Sequence, residues 1–544
     1  MKGKLKEALK AALESVGLSV ADITLEHPAE LQNGDYSSSV ALKYAKELKM
    51  APRQVAEKIV AALGDIEGVS KIEIAGAGFI NFQLASSALT ESLQKAMSED
   101  MWGSIDVQKG KKIMIEYTDP NPFKEFHIGH LMSNAIGESI SRLFQFSGAQ
   151  VKRANYQGDV GPHVAKAIWG KIKFPRKTWS EAYVAGNTEY ETNKEEIDQI
   201  NKKVYEKSDA EINTLYEEGR KASLEHFEEL YKILGTKFDY YFFESATAPK
   251  GLEIVKAHPD VFETSDGAVV YKGEKVGLHT RVFITSKGLP TYETKELGLA
   301  ELKAETWNFD TSITVTAQEQ SDYFTVVLAA MKEVLPELAA KIQHVSHGMM
   351  RFAEGKMSSR TGNVITGEAL LAELTDAAKV RASESRAPDV NALARDVAVA
   401  AIKYQILKQQ SSKDIIFDRE RALSLEGDSG PYLQYAHART QQIIEKAKEQ
   451  GVAAKVDAET EPDNLTRLLH RFPEVVDYAA QLREPHLLTS YLLEIAGAFN
   501  SWYAQVHILD SSTASPHKVA VADAVRRTLK NGLWILGIPA PEKM

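Results

Sequence analysis

KKIMIEYTDPNPFKEFHIGH, residues 111–130, is the stretch on which the fold turns. Its first half places Ile113, Ile115 and Tyr117 at every second position, the pattern of a strand. Its last four residues, His127-Ile128-Gly129-His130, open a run with Leu131, Ile136, Ile140, Leu143 and Phe144 at helical spacing, stopped by Gly148. Residues 151–156 supply a second strand. The spacing therefore predicts a βαβ unit over residues 111–172 and, with it, a parallel sheet. At the start of such a helix, two imidazoles one turn apart face a bound phosphate chain, toward which free N–H groups and the helix dipole also point. Gly129 leaves the backbone open to a nucleobase or ribose. The bland alternative is an accidental His-x-x-His at a helix start, and the position in a βαβ crossover weighs against it.

A second signal lies more than two hundred residues on: Lys356-Met357-Ser358-Ser359-Arg360, between Gly355 and Gly362. Cations and hydroxyls on a glycine-flanked loop can close over a triphosphate and follow its charge as pyrophosphate leaves. Alone, Lys-Met-Ser-Ser is more often a solvated loop. After a His-Ile-Gly-His helix, in this order, it carries weight.

The remaining chain frames these two segments. Residues 1–90 read as a small α+β unit: Leu5, Leu9, Ala12 and Val16 at helical spacing, a turn at Asn33-Gly34-Asp35, a second helix through Tyr44, a third from Pro52, and an interrupted strand over 71–84. The polar tract 96–110 reads as a linker. Residues 181–230 hold six Lys/Arg against fourteen Asp/Glu, with helical apolar positions such as Tyr205, Ile212, Tyr216 and Phe227. Residues 259–287 alternate as strands turning at Asp266-Gly267, strand–helix alternation resumes from Thr311, and from about 370 the pattern is helical, with Pro485 opening a long helix.

Composition sets the bounds. The chain of 544 residues is 44% hydrophobic and 26% charged, which implies two to four folded domains and excludes collagen-like and wholly disordered chains. No cysteine is present, so disulfides, Cys-ligated zinc, iron–sulfur clusters and thiol nucleophiles are excluded. The net charge of −10 argues against nucleic acid, but the 181–230 segment alone accounts for −8 of it, and a near-neutral remainder can carry basic faces. No signal-peptide or membrane-spanning segment stands out, and a soluble, cytoplasmic protein is expected.

Together the two motifs resemble the HIGH and KMSKS signatures of class I aminoacyl-tRNA synthetases, and the rest of the chain resembles the arginyl-tRNA synthetase family. GDY at 34–36 and AGAGFINF at 75–82 are similar to that family's additional N-terminal domain. IEYTDPNPFKEFHIGH at 115–130 and NYQGDVG at 155–161 are similar to its catalytic core, and GDSGPYLQYAHAR at 427–439 with WILGIPAPEKM at 534–544 to its helical anticodon-binding domain. The resemblance implies a multidomain α/β protein. An α+β tRNA-contacting domain covers 1–100, a Rossmann-type parallel-sheet catalytic core covers 111–370 with a helical acidic insertion at about 175–245, and an all-α anticodon-binding domain covers 371–544.

Carried over residue by residue, it implies that His127, Gly129, His130, Lys356, Met357 and Ser358 bind ATP. His127, His130, Lys356, Lys124 and Arg360 are the catalytic set, the last three being rival candidates for the dominant cation. Glu116, Asn121, Tyr292, Glu296 and Gln320 hold arginine, with Gln318 as a register alternative to Gln320. Planar carboxylates and an aromatic face suit a guanidinium with its five fixed donors and reject the point charge of lysine. Glu296 stands where the family most often has Asp, and His163 where it usually has Gln; no catalytic role is read for His163. Asp35, Tyr36, Tyr435, Tyr503 and Met544 fall at tRNA-contacting positions, although Tyr and Met at helical spacing are more often core and Tyr36 could staple a helix start. ATP with Mg²⁺ is the implied co-substrate, with no protein-bound metal or organic cofactor. The implied partners are tRNA(Arg), ATP and L-arginine, with no membrane, for a monomer whose arginine activation needs bound tRNA. The rivals are a class I synthetase for another amino acid, a silent tRNA-binding paralogue, and a small-molecule nucleotidyltransferase, which would leave the long helical C-terminal region unexplained.

Overall fold

A computed structural model describes residues 1–18, 23–28, 30–352, 366–383, 385, 387–510 and 512–544. Its centre is a five-stranded parallel sheet formed by β1 (Lys112–Glu116), β2 (Gln150–Gln157), β3 (Tyr240–Phe243), β4 (Thr311–Ala317) and β5 (Ile342–His347), in the order β5-β4-β1-β2-β3. The chain runs from β1 outward to β2 and β3, then returns to the other side of β1 for β4. That reversal opens a crevice at the carboxyl ends of β1 and β4, where ligands bind in doubly wound sheets. In β1, Met114 is as buried as Ile113 and Ile115, because helices cover both faces of a parallel sheet.

Helix α1 (Ile128–Phe146) follows β1, as the βαβ pattern predicts, and is buried along most of its length. The connection between them is strained. Thr118, Asp119 and Phe123, none of them glycine, have φ of +81°, +48° and +70°. Such backbone persists only where its surroundings over-determine it, and here each residue is held. Ser133 Oγ accepts the Thr118 N–H at 3.0 Å, Asp119 Oδ1 accepts the Tyr156 N–H at 2.8 Å, and Ser223 Oγ accepts the Phe123 N–H at 2.9 Å.

Ser223 belongs to the acidic region, which folds as three helices, Trp179–Thr188, Lys194–Glu206 and Ala210–Leu234. Gly219 on the last of them leaves room for the Phe123 ring, which a Cβ there would meet at 2.2 Å. The acidic segment therefore braces the loop ahead of α1, a task its charge pattern does not announce.

The N-terminal unit carries an antiparallel sheet of Tyr36–Ser38, Phe79–Leu84 and Val69–Ala75 in that order. The interrupted strand at 71–84 is thus a hairpin, turned at Gly76 and Gly78. Within the tract 96–110, read above as a linker, Trp102 is buried, its Nε1–H donates to Thr528 Oγ1 at 3.1 Å, and Gly103 lies against Phe472. The C-terminal part is helical, including His486–Gln505 behind Pro485. One continuous apolar core runs from Leu93 through α1 and β4 to Ile538, so the packing is uninterrupted across residue 370.

Candidate active site

The crevice holds a cavity of about 550 Å³ that gathers residues from four separate parts of the chain: Glu116 at the end of β1 with Asp119 and Asn121 beyond it, His127, Gly129 and His130 at the start of α1, Tyr292 and Glu296 on helix α2 (Tyr292–Thr306), and Gln320 after β4. Gln320 lines the cavity and Gln318 does not.

At the α1 terminus the two imidazoles stack, ring centroids 3.4 Å apart and 23° from parallel. The His127 N–H donates to His130 Nδ1 at 3.2 Å. A backbone amide can only donate, so Nδ1 is the acceptor and the His130 ring proton sits on Nε2. Burial lowers the pKa of both rings, and Lys124 lowers them further, so they are neutral donors rather than cations at pH 7. A Cβ at Gly129 would meet the His127 ring at 3.0 Å. Lys124 stands beside the cavity rather than in its wall, its Nζ 5.3 Å over the ring of Tyr183 from the acidic region. Lys356, Met357, Ser358 and Arg360 lie outside the described residues.

The opposite part of the cavity is acidic. Glu116 lines it, but only 1% of that residue is exposed and Lys303 Nζ lies 2.5 Å from its Oε2. Asn121 Oδ1 accepts the Gly158 N–H at 3.1 Å, which leaves its amide nitrogen to act as donor. Tyr292 stands at the mouth, exposed, with Lys295 Nζ 5.0 Å over its ring. Burial, then Glu116, pushes the Glu296 carboxyl up to about 8 and raises Asp119 well above the carboxylate range. Among the described residues, no three His, Asp or Glu gather as a metal site.

Several residues in the wall or paired with it carry no signal in the sequence. Asp119 sits two residues from Asn121 in the loop between β1 and α1, where no motif marks it. Lys295 and Lys303 look like exposed helix charges but are 4% and 2% exposed. Glu244 opens the helix after β3, and its Oε2 is 2.5 Å from Lys295 Nζ. His347, at the end of β5, lines the cavity; Nδ1 is 2.7 Å from Gly348 O and must donate there, which leaves Nε2 as an acceptor with no partner among the described residues. His163 is a structural latch, its Nε2 bonded to Gly158 O at 2.8 Å and its pKa pushed down to about 3 by burial.

The tRNA-contacting expectations divide. Asp35 and Tyr36 are corrected: both face the C-terminal helices, not solvent. Arg467 Nη1 lies 2.6 Å from Asp35, Asp35 Oδ2 also accepts the Leu84 N–H at 2.7 Å, and Tyr36 Oη donates to Glu474 at 2.5 Å. Asp35 is 4% exposed and Tyr36 fully buried. Tyr503 is exposed at the surface, where the Arg439 guanidinium lies 5.4 Å from its ring and 4.7 Å from that of Tyr435. Met544 is half-buried against the core.

Three family models match the chain in order: the arginyl tRNA synthetase N-terminal domain at residues 3–84, the catalytic domain of class I (R) tRNA synthetases at 92–419, and the DALR anticodon binding domain at 433–544. The chain is 32% identical to the arginine–tRNA ligase of Lactobacillus delbrueckii subsp. bulgaricus, with 100% of both chains covered. It is 30% identical to that of Clostridium perfringens, over 99% of this chain and 98% of the relative. Among solved structures, Thermus thermophilus arginyl-tRNA synthetase superposes over 100% of both chains with a TM-score of 0.85 and 26% identity.

Proposed function

The chain belongs to the arginyl-tRNA synthetase family, and from that premise we propose how its residues carry the reaction. It is an arginine–tRNA ligase. An arginine carboxylate oxygen attacks the α-phosphorus of ATP and the bond to the β-phosphate breaks, giving arginyl-adenylate and pyrophosphate. The 2′-hydroxyl of the terminal adenosine of tRNA(Arg) then attacks the arginyl carbonyl, losing its proton as AMP leaves. Neither step needs a covalent side-chain nucleophile; positioning and charge stabilisation carry both. The observation behind this assignment is that His127, His130, Asn121 and Glu296 line one cavity at the crevice of a parallel sheet.

In this reading His127 and His130 donate from neutral rings to the ATP phosphates, with Gly129 between them. Lys356 supplies the leading cation of the Lys356–Arg360 loop, with Met357, Ser358 and Arg360 beside it and Lys124 supporting. Glu116, Asn121, Tyr292, Glu296 and Gln320 hold arginine. Mg²⁺ accompanies ATP as part of the co-substrate. Residues 1–100, 111–370 and 371–544 act as docking, catalytic and anticodon-binding units, the last through Tyr435, Tyr503 and Met544. The protein works as a cytoplasmic monomer, and arginine activation requires bound tRNA.

Charging total tRNA with each amino acid in turn tests the reading. Arginine alone should be incorporated, and arginine-dependent ATP–pyrophosphate exchange should appear only with tRNA present; preferential incorporation of another amino acid would overturn it.

A further inference from the structure

The third acidic helix, Ala210–Leu234, is 25 residues long, and its middle and its end meet different parts of the molecule. Tyr216, Gly219, Arg220 and Ser223 share one face, by helical spacing. That face holds two loops that border the cavity. The first is the loop that carries Asp119 and Asn121. Ser223 Oγ gives its proton to Gly219 O at 2.8 Å and accepts the Phe123 N–H at 2.9 Å, four residues ahead of His127. The second is the loop after β2. Tyr216 Oη and Arg220 Nε donate to Asp159 Oδ2 at 2.9 and 3.1 Å, and Asp159, fully buried, follows the cavity residue Gly158.

The carboxyl end of the same helix is fastened elsewhere. A helix leaves its last carbonyls without partners and carries a partial negative charge there, so cations suit it. Lys403 Nζ donates to Leu234 O at 2.7 Å, and Arg142 Nη2 to Gly235 O at 2.7 Å. The same two side chains reach the end of the C-terminal helix Ser515–Ile535. Arg142 Nη1 donates to Trp534 O at 2.7 Å, and Lys403 Nζ to Gly537 O at 2.9 Å. Arg142 stands on α1, where its Nε is engaged by Glu138 at 2.6 Å; Lys403, on the helix Val390–Leu407, is fully buried. Gly537 leaves room for the ammonium, since a Cβ there would lie 2.7 Å from Nζ. Two cations thus tie the ends of two helices to each other.

We propose that the helix Ala210–Leu234 is a strut through which the C-terminal helices set the two cavity loops, with Lys403 and Arg142 as positioning residues acting through it. Ser223 precedes Leu234 by eleven residues, about 16 Å at 1.5 Å per residue. A helix carries displacement over that distance as a rigid element, so a shift at Leu234 moves Arg220 and Ser223 together. The loop ahead of α1 cannot settle without them: Phe123 is held at a φ of +70°, with its ring in the space that Gly219 leaves. Trp534 and Gly537 belong to the segment that matches the anticodon binding domain, so the strut joins that segment to the approach to His127. The consequence for catalysis rests on the arginine–tRNA ligase reading above. That reaction depends on positioning, and a displacement of about 1 Å can cost up to about 100-fold in rate.

Two readouts on the full chain test the strut. Amide hydrogen exchange at Phe123 needs no substrate. Lys403→Met acts at the far end of the helix, yet it should speed exchange at Phe123 about tenfold or more. Steady-state tRNA charging is the second readout. Lys403→Met and Ser223→Ala should each lower kcat about tenfold, with the KM for tRNA changed by less than about threefold. Sites this far apart ordinarily act independently, and their losses then multiply to within about twofold. Here the double variant should stay within about twofold of the worse single variant, because both changes cut one strut. Gly537→Ala keeps Lys403 and crowds its ammonium; it should shift both readouts in the same direction, and it carries the test if the Lys403→Met chain does not fold. Losses that multiply, or exchange at Phe123 unchanged in Lys403→Met or Gly537→Ala, would overturn the strut and leave the ligase assignment standing. A wild-type protein that charges another amino acid would remove the premise of the kinetic arm, and exchange at Phe123 would still decide the strut.

Discussion

Replacing Arg467 by Met tests the role that the structure gives to Asp35. The variant would leave the Asp35 carboxylate buried between the N-terminal unit and the C-terminal helices, with the Leu84 N–H as its remaining donor. Breaking a buried ion pair from one side costs about 3–5 kcal/mol. The Arg467 side chain is 14% exposed, so some water can reach the site, and the lower end, about 3 kcal/mol, is the reasoned value. At 1.36 kcal/mol per decade this is roughly a 100-fold change in the local opening equilibrium. Amide hydrogen exchange at Leu84 reads that opening directly, because its N–H is bonded to the carboxylate in question. Exchange should accelerate about 100-fold in Arg467→Met. It should return most of the way in Arg467→Met/Asp35→Asn, where no buried charge is stranded. Global denaturation is the poorer probe, since a chain of this size need not unfold in one step. Unchanged exchange at Leu84, together with an Asp35→Asn protein whose only defect is a raised KM for tRNA, would refute the reasoning and return Asp35 to the RNA surface.

Arginine binding should depend on pH through Glu296. The cation needs the ionised carboxylate, so with a carboxyl at about 8, affinity should fall toward tenfold per unit below that pH and level off above it. Calorimetry in buffers of different ionisation enthalpy should detect the released proton, and proton-neutral binding at pH 7 would contradict it. Lys403, fully buried, donates to Leu234 O and Gly537 O, and burial lowers it to about 7. The unfolded lysine therefore binds the extra proton between pH 7 and 10.5, and stability should rise with pH across that window. Lys403→Met should flatten the rise, as read from denaturation midpoints at pH 7 and 9. Tyr503→Ala should raise the KM for tRNA by about tenfold, the lower part of the range for one base stacked on an aromatic ring, without changing ATP affinity; equal losses in both would mean a packing role.

How much of the site was legible depended on whether its signal was local. The imidazole pair sits in one turn of one helix, and the strand and helix around it declare their periods over a few residues. Asn121, Tyr292, Glu296 and Gln320 were found through resemblance, and each lines the cavity. Lys295 and Lys303 were not legible, because their burial depends on Glu244 and Glu116, 51 and 187 positions away in the chain. Asp35 and Tyr36 were misread for the same reason. Their partners, Arg467 and Glu474, lie more than four hundred residues downstream, and nothing in a GDY turn indicates that another part of the chain will cover it.

Read alone, the amino-acid order determined the class of the protein: a parallel sheet around a βαβ unit, an α+β unit before it, helices after it, and a histidine pair at the start of the crossover helix. Those features are set by periodicity, turn chemistry and short motifs, which act over a few residues. Tertiary structure decided which charges meet. It paired three of the cavity's six carboxyls with internal cations, set the acidic helices behind the strained loop at Phe123, and buried Asp35 and Tyr36 at a seam. The physical reason is that an ionisable side chain is defined by its surroundings. Desolvation and the nearest opposite charge decide whether a carboxylate faces water, a ligand or a lysine, and both are products of long-range packing.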